Sequence, residues 1–276
     1  MQKLPLLLSI LFISLFACKQ AEQNLMCHDP KAEFAVFGKD PEFQAMHPSP
    51  EDKVFALKGK TVRFAVAGQD SSSAYLAKAA KKTTKYLLLF HEWWGLNDYV
   101  KNEADYWAKT LNVNVLAVDL YDGKLAKTAD EAGKFMGECK PERAESIIKA
   151  AAAYTGTKTD FRTMGWCFGG GWSLKAALLL KDKTKACVMY YGMPEENVDV
   201  LKTLSTDVVF MQANKDRWIN EDVVKKFEAN MKSAGKSLSV NRYDADHAFA
   251  NPSSPHYDEA AAKAARAVVT TYLKKH

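Results

Sequence analysis

From residue 61 onward the chain is paced by short apolar runs at 86–91, 113–119, 161–166, 186–191, 208–213 and 238–243. The first, Tyr86-Leu87-Leu88-Leu89-Phe90-His91, lacks polar alternation and reads as a strand buried on both faces. Apolar positions at helical spacing fill the gaps at 97–111, 126–138, 141–154, 172–181, 221–234 and 257–273. Strands alternating with helices predict an α/β fold, a mostly parallel sheet with helices on both faces. Ahead of that sheet Val62-Arg63-Phe64-Ala65-Val66 alternates. Residues 73–77, after Gly68-Gln69-Asp70, read as its antiparallel hairpin partner.

The beginning of the chain breaks this rhythm. Lys3 precedes an apolar run over 4–16, which reaches Leu15-Phe16-Ala17-Cys18. A basic start, a short apolar core and a small residue before the cut predict an export signal over 1–18, too short for a comfortable membrane span. A Cys directly after Ala17 resembles a bacterial lipoprotein acylation site. Cys18 is therefore expected to carry lipid and anchor an exported protein at a membrane of the cell envelope, in the periplasm or at the cell surface. Residues 19–55 are polar, carry His28-Asp29-Pro30 and Pro48-Ser49-Pro50, and show no periodicity. They read as a tether and an irregular lead-in to a domain over 56–276.

Composition changes little. A chain of 276 residues with 47% hydrophobic and 26% charged residues suits one ordinary globular core. The net charge of +5 is mild and its cations are scattered, apart from Lys81, Lys82 and Lys85 ahead of a strand, so a nucleic-acid partner is not expected. Of the five cysteines, Cys187 sits in a strand pattern and reads as core. Cys27 and Cys139 have no diagnostic spacing; export permits a bridge between them without requiring one.

Chemistry first shows in Gly165-Trp166-Cys167-Phe168-Gly169-Gly170-Gly171, between the run at 161–166 and the helical pattern at 172. A reactive side chain flanked by glycines on a sharp strand-to-helix turn is a nucleophile elbow. Glycine tolerates the close packing such a turn imposes. A Cys at a helix N-terminus feels positive partial charge, which favours the thiolate. In a parallel sheet the functional groups gather at the carboxyl ends of strands. Two later strand ends carry Asn214-Lys215-Asp216 and Asp244-Ala245-Asp246-His247. His247 is the one histidine in a loop directly after a late strand. His28 and His47 lie in the lead-in, His91 precedes the nucleophile, His256 sits at a helix start and His276 ends the chain. The order nucleophile, acid, histidine matches the α/β-hydrolase fold. Asp216 is the favoured acid, with Asp244 and Asp246 as competitors.

Several pieces together resemble the dienelactone hydrolase family: His91-Glu92-Trp93-Trp94-Gly95-Leu96-Asn97, Asp119-Leu120-Tyr121, the elbow at 165–170, Asp216 and His247-Ala248-Phe249. The resemblance covers residues 61–276. It implies an α/β-hydrolase that cleaves a small ester or lactone through an acyl-cysteine, without metal or organic cofactor. Cys167, Asp216 and His247 would form its triad, and Glu92 would assist ionisation of the thiol. The backbone N–H groups of Phe168 and Trp93 would form the oxyanion hole. Trp94 would line the substrate pocket. The chain also departs from the family. Members that cleave dienelactone hold the substrate carboxylate with two arginines, and this chain has Gly123 and Asn251 at those places. Neither replaces a bidentate Arg, which argues against dienelactone itself; Lys124 and Arg217 are the candidate substitute cations. Two other readings fit the same fold, a ligand-binding protein without turnover and a thiol sensor. The sensor would need a resolving cysteine, and the chain has no Cys-x-x-Cys.

Overall fold

The computed structural model describes residues 36–276. The expected signal over 1–18, the acylation site Cys18 and Cys27 lie outside the described residues. The described chain begins with a short helix, α1 (Pro41–Ala45), and the hairpin β1 (Lys60–Val66) and β2 (Gln69–Ala77). Next come β3 (Lys85–Phe90), α2 (Asp98–Leu111), β4 (Asn114–Val118), α3 (Ala129–Glu138), α4 (Pro141–Tyr154) and β5 (Asp160–Trp166). The remainder is α5 (Phe168–Leu180), β6 (Thr184–Tyr190), α6 (Val198–Leu201), β7 (Val208–Ala213), α7 (Glu221–Ser233), β8 (Leu238–Tyr243) and α8 (Glu259–Lys275). The eight strands form one sheet in the order β1-β2-β4-β3-β5-β6-β7-β8. β1 pairs antiparallel with β2 and β2 antiparallel with β4, while every later pairing is parallel.

The strand order locates the site. From β3 the chain runs outward to β4, then returns to lay β5 on the other side of β3. That reversal opens a crevice at the carboxyl ends of β3 and β5, where ligands bind in open α/β sheets. Glu92 follows β3 and Cys167 follows β5, on either side of it. The central strands are buried on both faces, as their continuous apolar runs predict: Leu87, Leu88, Leu89 and Phe90 are each fully buried. α5 lies in the middle of the molecule. Ten of its residues, from Phe168 to Leu178, are buried, so it carries no polar face.

Most predicted elements recur within a residue or two, and β7 and β8 have the expected bounds. β2 begins four residues before its expected start, at Gln69, and α3 three residues after, at Ala129. Two further differences bear on the site. α5 begins at Phe168 rather than 172, because Gly169, Gly170 and Gly171 are inside the helix. Their low helix propensity is outweighed by packing: a Cβ on Gly169 would lie 2.3 Å from the Phe90 carbonyl oxygen, and one on Gly170 would lie 2.8 Å from that of Tyr190. The lead-in, expected to be irregular, contains α1. Asp40 caps it by accepting from the Glu42 N–H at 2.9 Å, Pro41 occupies its first turn, and Phe43 is fully buried beneath it.

Candidate active site

Cys167 stands between β5 and α5 with φ 54° and ψ −122°, a conformation unfavourable for any residue but glycine. Two contacts make the turn obligatory. The Cys167 N–H donates to the Tyr190 carbonyl at 3.0 Å, and the Gly170 N–H donates to the Cys167 carbonyl at 2.9 Å. A Cβ on Gly165 would stand 2.1 Å from the Gly169 oxygen, so only glycine lets strand and helix meet here. The side chain is thus aimed out of the turn beside the first helical N–H groups, and the Phe168 N–H faces its sulfur. Two neighbours share the strain: Tyr191 has φ 37° and Ala248 has φ 63°. Clustered positive φ values at non-glycine residues are typical of functional sites.

The β7 and β8 loops bring the acid and the histidine to this sulfur. Asp216 Oδ1 accepts from the Trp218 and Ile219 N–H groups, both at 2.9 Å, which fixes the carboxylate. Its Oδ2 accepts from His247 Nδ1 at 2.5 Å. A proton therefore sits on Nδ1, and Nε2 is the ring atom left to exchange a proton with the thiol. Nε2 is buried, and the group that meets it on that side is Cys167. Of the competing acids, Asp244 pairs with Lys215 at 3.2 Å and Asp246 lies 3.8 Å from His256. Asp216 is the acid that meets the imidazole.

The site is buried, and this governs its electrostatics. Burial raises the Cys167 thiol above its ordinary pKa, and the adjacent His247 opposes that rise. Burial alone would lower His247, but the charge of Asp216, its hydrogen bond and the neighbouring Cys167 hold it well above the ordinary value. Glu92 is buried at the end of the β3 loop, and desolvation lifts its carboxyl to about 7, against His247 and the Asn251 hydrogen bond. Asn251 Nδ2 donates to Glu92 Oε2, while its own Oδ1 accepts from the Ser253 N–H at 2.8 Å and the Ser253 hydroxyl at 2.7 Å. The amide is thereby oriented with its donor toward Glu92.

Glu92, Trp94, Trp166 and Asn251 line a narrow cavity of about 30 Å³, which Glu103 also borders. Trp93 is buried in the same loop, edge-on to Trp94 with ring centroids 5.0 Å apart. Lys124 and Arg217, the expected substitute cations, do not line that cavity. Lys124 pairs with Glu138 at 3.2 Å and is half exposed. Arg217 is exposed and pairs with Glu42. Each is held by a carboxylate on the surface, a placement that sequence proximity to the site does not reveal. His91 is structural: its Nδ1–H donates to the Glu92 carbonyl at 2.6 Å and its Nε2 accepts from the Leu120 N–H at 3.2 Å, tying the β3 and β4 loops together. Asp119 similarly orders the next loop, accepting from the Tyr121 N–H at 3.0 Å and the Gly123 N–H at 2.6 Å. Sequence reasoning missed Phe43 and His47 of the lead-in, whose rings lie 6.0 and 5.2 Å from that of His247. The available signal was Asp40-Pro41, a helix start that puts residues 43 and 47 on one face.

A cysteine on a strained strand-to-helix turn, at the switch point of this sheet and beside a buried His–Asp pair, defines an α/β-hydrolase. The family model of the dienelactone hydrolase family matches residues 72–276, and the chain belongs to that family. It is 29% identical over 204 residues to Protein usf of Aquifex pyrophilus, across 69% of this chain and 87% of that protein. It is 22% identical over 208 residues to carboxymethylenebutenolidase 1 of Cupriavidus pinatubonensis, across 70% of this chain and 87% of that enzyme. Its fold is similar to that of a dienelactone hydrolase-like promiscuous phosphotriesterase from metagenomic libraries, with a TM-score of 0.69 at 19% identity over 80% of this chain and 99% of the other. The chain is a carboxylic ester or lactone hydrolase.

Glu92 leaves a signature in stability. Its folded pKa of about 7 lies above the ordinary 4.5, so between these values the folded state binds the extra proton and stability falls as pH rises. Above the folded value the full penalty applies, up to about 3 kcal/mol. Glu92→Gln should therefore gain up to about that much at about pH 8 and nothing at about pH 4. Urea unfolding of both proteins at the two pH values measures it; an equal effect at both would contradict the assignment.

Proposed function

We propose that the chain hydrolyses small neutral esters or lactones through an acyl-cysteine on Cys167. The observation that carries the reading is the short Asp216–His247 contact, with Cys167 as the neighbour of the same ring on its other side. His247 takes the Cys167 proton as the sulfur attacks the carbonyl carbon, and Asp216 stabilises the imidazolium that forms. The tetrahedral oxyanion is held by the Phe168 and Trp93 backbone N–H groups. As the intermediate collapses, the ester C–O bond breaks and His247 protonates the departing alkoxide. A water then attacks the thioester with His247 as base, releasing the acid and regenerating the thiol. Because burial keeps the resting thiol protonated, attack awaits substrate. Glu92 assists ionisation of the thiol as a relay, holding its one proton transiently on the way to His247, which the raised pKa of the carboxyl permits.

The substrate class follows from charge. The cavity that Glu92 and Asn251 line has a second carboxyl, Glu103, and no Lys or Arg, so a substrate carboxylate entering it would meet carboxyl groups rather than a guanidinium. A panel of chromogenic esters and lactones tests both parts. Cys167→Ala should abolish turnover, and His247→Ala and Asp216→Asn should lower kcat by on the order of 10³-fold or more, the histidine change by more. Neutral short-chain esters should give a kcat/KM at least comparable to that of dienelactone. A hundredfold preference for the anionic lactone would refute the neutral-substrate assignment.

We also propose that the protein is exported and anchored through acylated Cys18, on the strength of Leu15-Phe16-Ala17-Cys18 closing a short apolar core. Fractionation of wild type and Cys18→Ser is the check: acylation predicts membrane-bound wild type and a released, active variant. An unacylated N-terminus in the mature wild type would contradict it.

A further inference from the structure

The lead-in before the catalytic domain is built into its active site. α1 presents Phe43 on its inner side, and His47 follows just beyond its end on the same side. Both are buried, His47 with 7% of its surface exposed. Phe43 packs edge-on against Trp93 and Trp218, with ring centroids 5.0 and 4.9 Å away. His47 lies 5.2 Å from the His247 ring at an interplanar angle of 73°. Polar contacts clasp this segment to the loop that carries the catalytic acid. The Trp218 Nε1–H donates to Asp40 Oδ2 at 3.2 Å, and Arg217 pairs with Glu42. On its other flank a Cβ on Gly133 would come within 2.3 Å of the Gly38 oxygen, so α3 and the lead-in meet backbone to backbone. The match to the family model begins at residue 72, so the lead-in lies outside the matched residues.

His247 needs them for a geometric reason. Its hydrogen bond to Asp216 anchors Nδ1, and the angle of the ring about that point sets how Nε2 meets Cys167. Proton transfer to and from Nε2 depends on that angle. Tyr191 at 4.8 Å and Trp218 at 6.2 Å limit the ring from the domain side. Phe43 at 6.0 Å and His47 at 5.2 Å limit it from the lead-in. His47 is itself fixed, because its Nδ1–H donates to the Phe43 carbonyl at 2.6 Å. Its Nε2 is buried without a partner. The ring therefore acts here as a rigid wall and not as a hydrogen-bonding group. Burial, with the adjacent His247, depresses its pKa to about 3. It therefore adds no positive charge beside the imidazolium that catalysis creates.

We propose that His47 is a positioning residue for the reaction, its neutral ring holding the His247 imidazole at the angle required for proton transfer with Cys167 and the leaving group. The proposal rests on the Cys167–His247–Asp216 reading above. A group that acts through His247 should affect kcat rather than substrate binding.

The test uses the full-length chain and a neutral chromogenic ester, with His47→Ala, His47→Phe and His247→Ala compared for kcat, KM and melting temperature. His47→Ala should lower kcat about ten- to a hundredfold with KM within about twofold. His47→Phe, which rebuilds the wall without the nitrogens, should recover most of that loss. Should the Ala variant not fold, His47→Leu takes its place under the same criteria. A wild-type kcat in the folded variant, a loss expressed in KM alone, or a Phe variant as impaired as the Ala variant would each overturn the proposal. Normal turnover by His247→Ala would instead remove the triad reading beneath it.

Discussion

At Cys167 the chain holds a backbone conformation that an L-residue adopts only under constraint, and the constraint comes from how closely β5, α5 and β6 approach one another. Gly165 and Gly169 meet without a Cβ between them, and Gly170 lies against the chain at Gly192. Strand and helix are therefore locked at a fixed angle, and the sulfur projects from the corner toward the helix N-terminus. The same packing buries ten of the thirteen residues of α5, so Cys167 is carried at the start of a tightly packed helix. Strain of about 1–3 kcal/mol at such a residue persists only where the surroundings over-determine it. Ten buried residues of α5 and the β3–β5–β6 packing do so here.

Burial is the second condition, and it acts on each titrating group differently. For the thiol and the Glu92 carboxyl, burial opposes ionisation; for His247, the paired Asp216 outweighs burial and favours the proton. The site thus sets a thiol that burial disposes to keep its proton beside an imidazole that Asp216 disposes to hold one. Asn251 takes part by donating to Glu92.

Much of this was legible in the sequence because its physical causes are local or periodic. The buried strands appear as continuous apolar runs, and the elbow appears as glycines bracketing a reactive residue before an apolar helix. Three features were not legible. The start of α5 at Phe168 was hidden, since three glycines argue against helix and only the distances to Phe90 and Tyr190 explain them. Lys124 and Arg217 looked like available cations because their partners, Glu138 and Glu42, are 14 and 175 residues away in the chain. His47 was set aside for lying in an aperiodic stretch. α1 has only five residues, too few for a repeating pattern, and its role is visible only once Phe43 and His47 are seen against Trp93, Trp218 and His247.

The central claim is that Cys167 becomes covalently acylated during turnover. Acid-quenching the enzyme during hydrolysis of excess chromogenic ester, followed by intact-mass and peptide-mass measurement, tests it most directly. The account predicts an added acyl mass confined to the peptide carrying Cys167, accumulating to a steady level and vanishing as substrate is exhausted. Turnover at full rate with no adduct, or with the acyl group on another side chain such as Ser173, would contradict it.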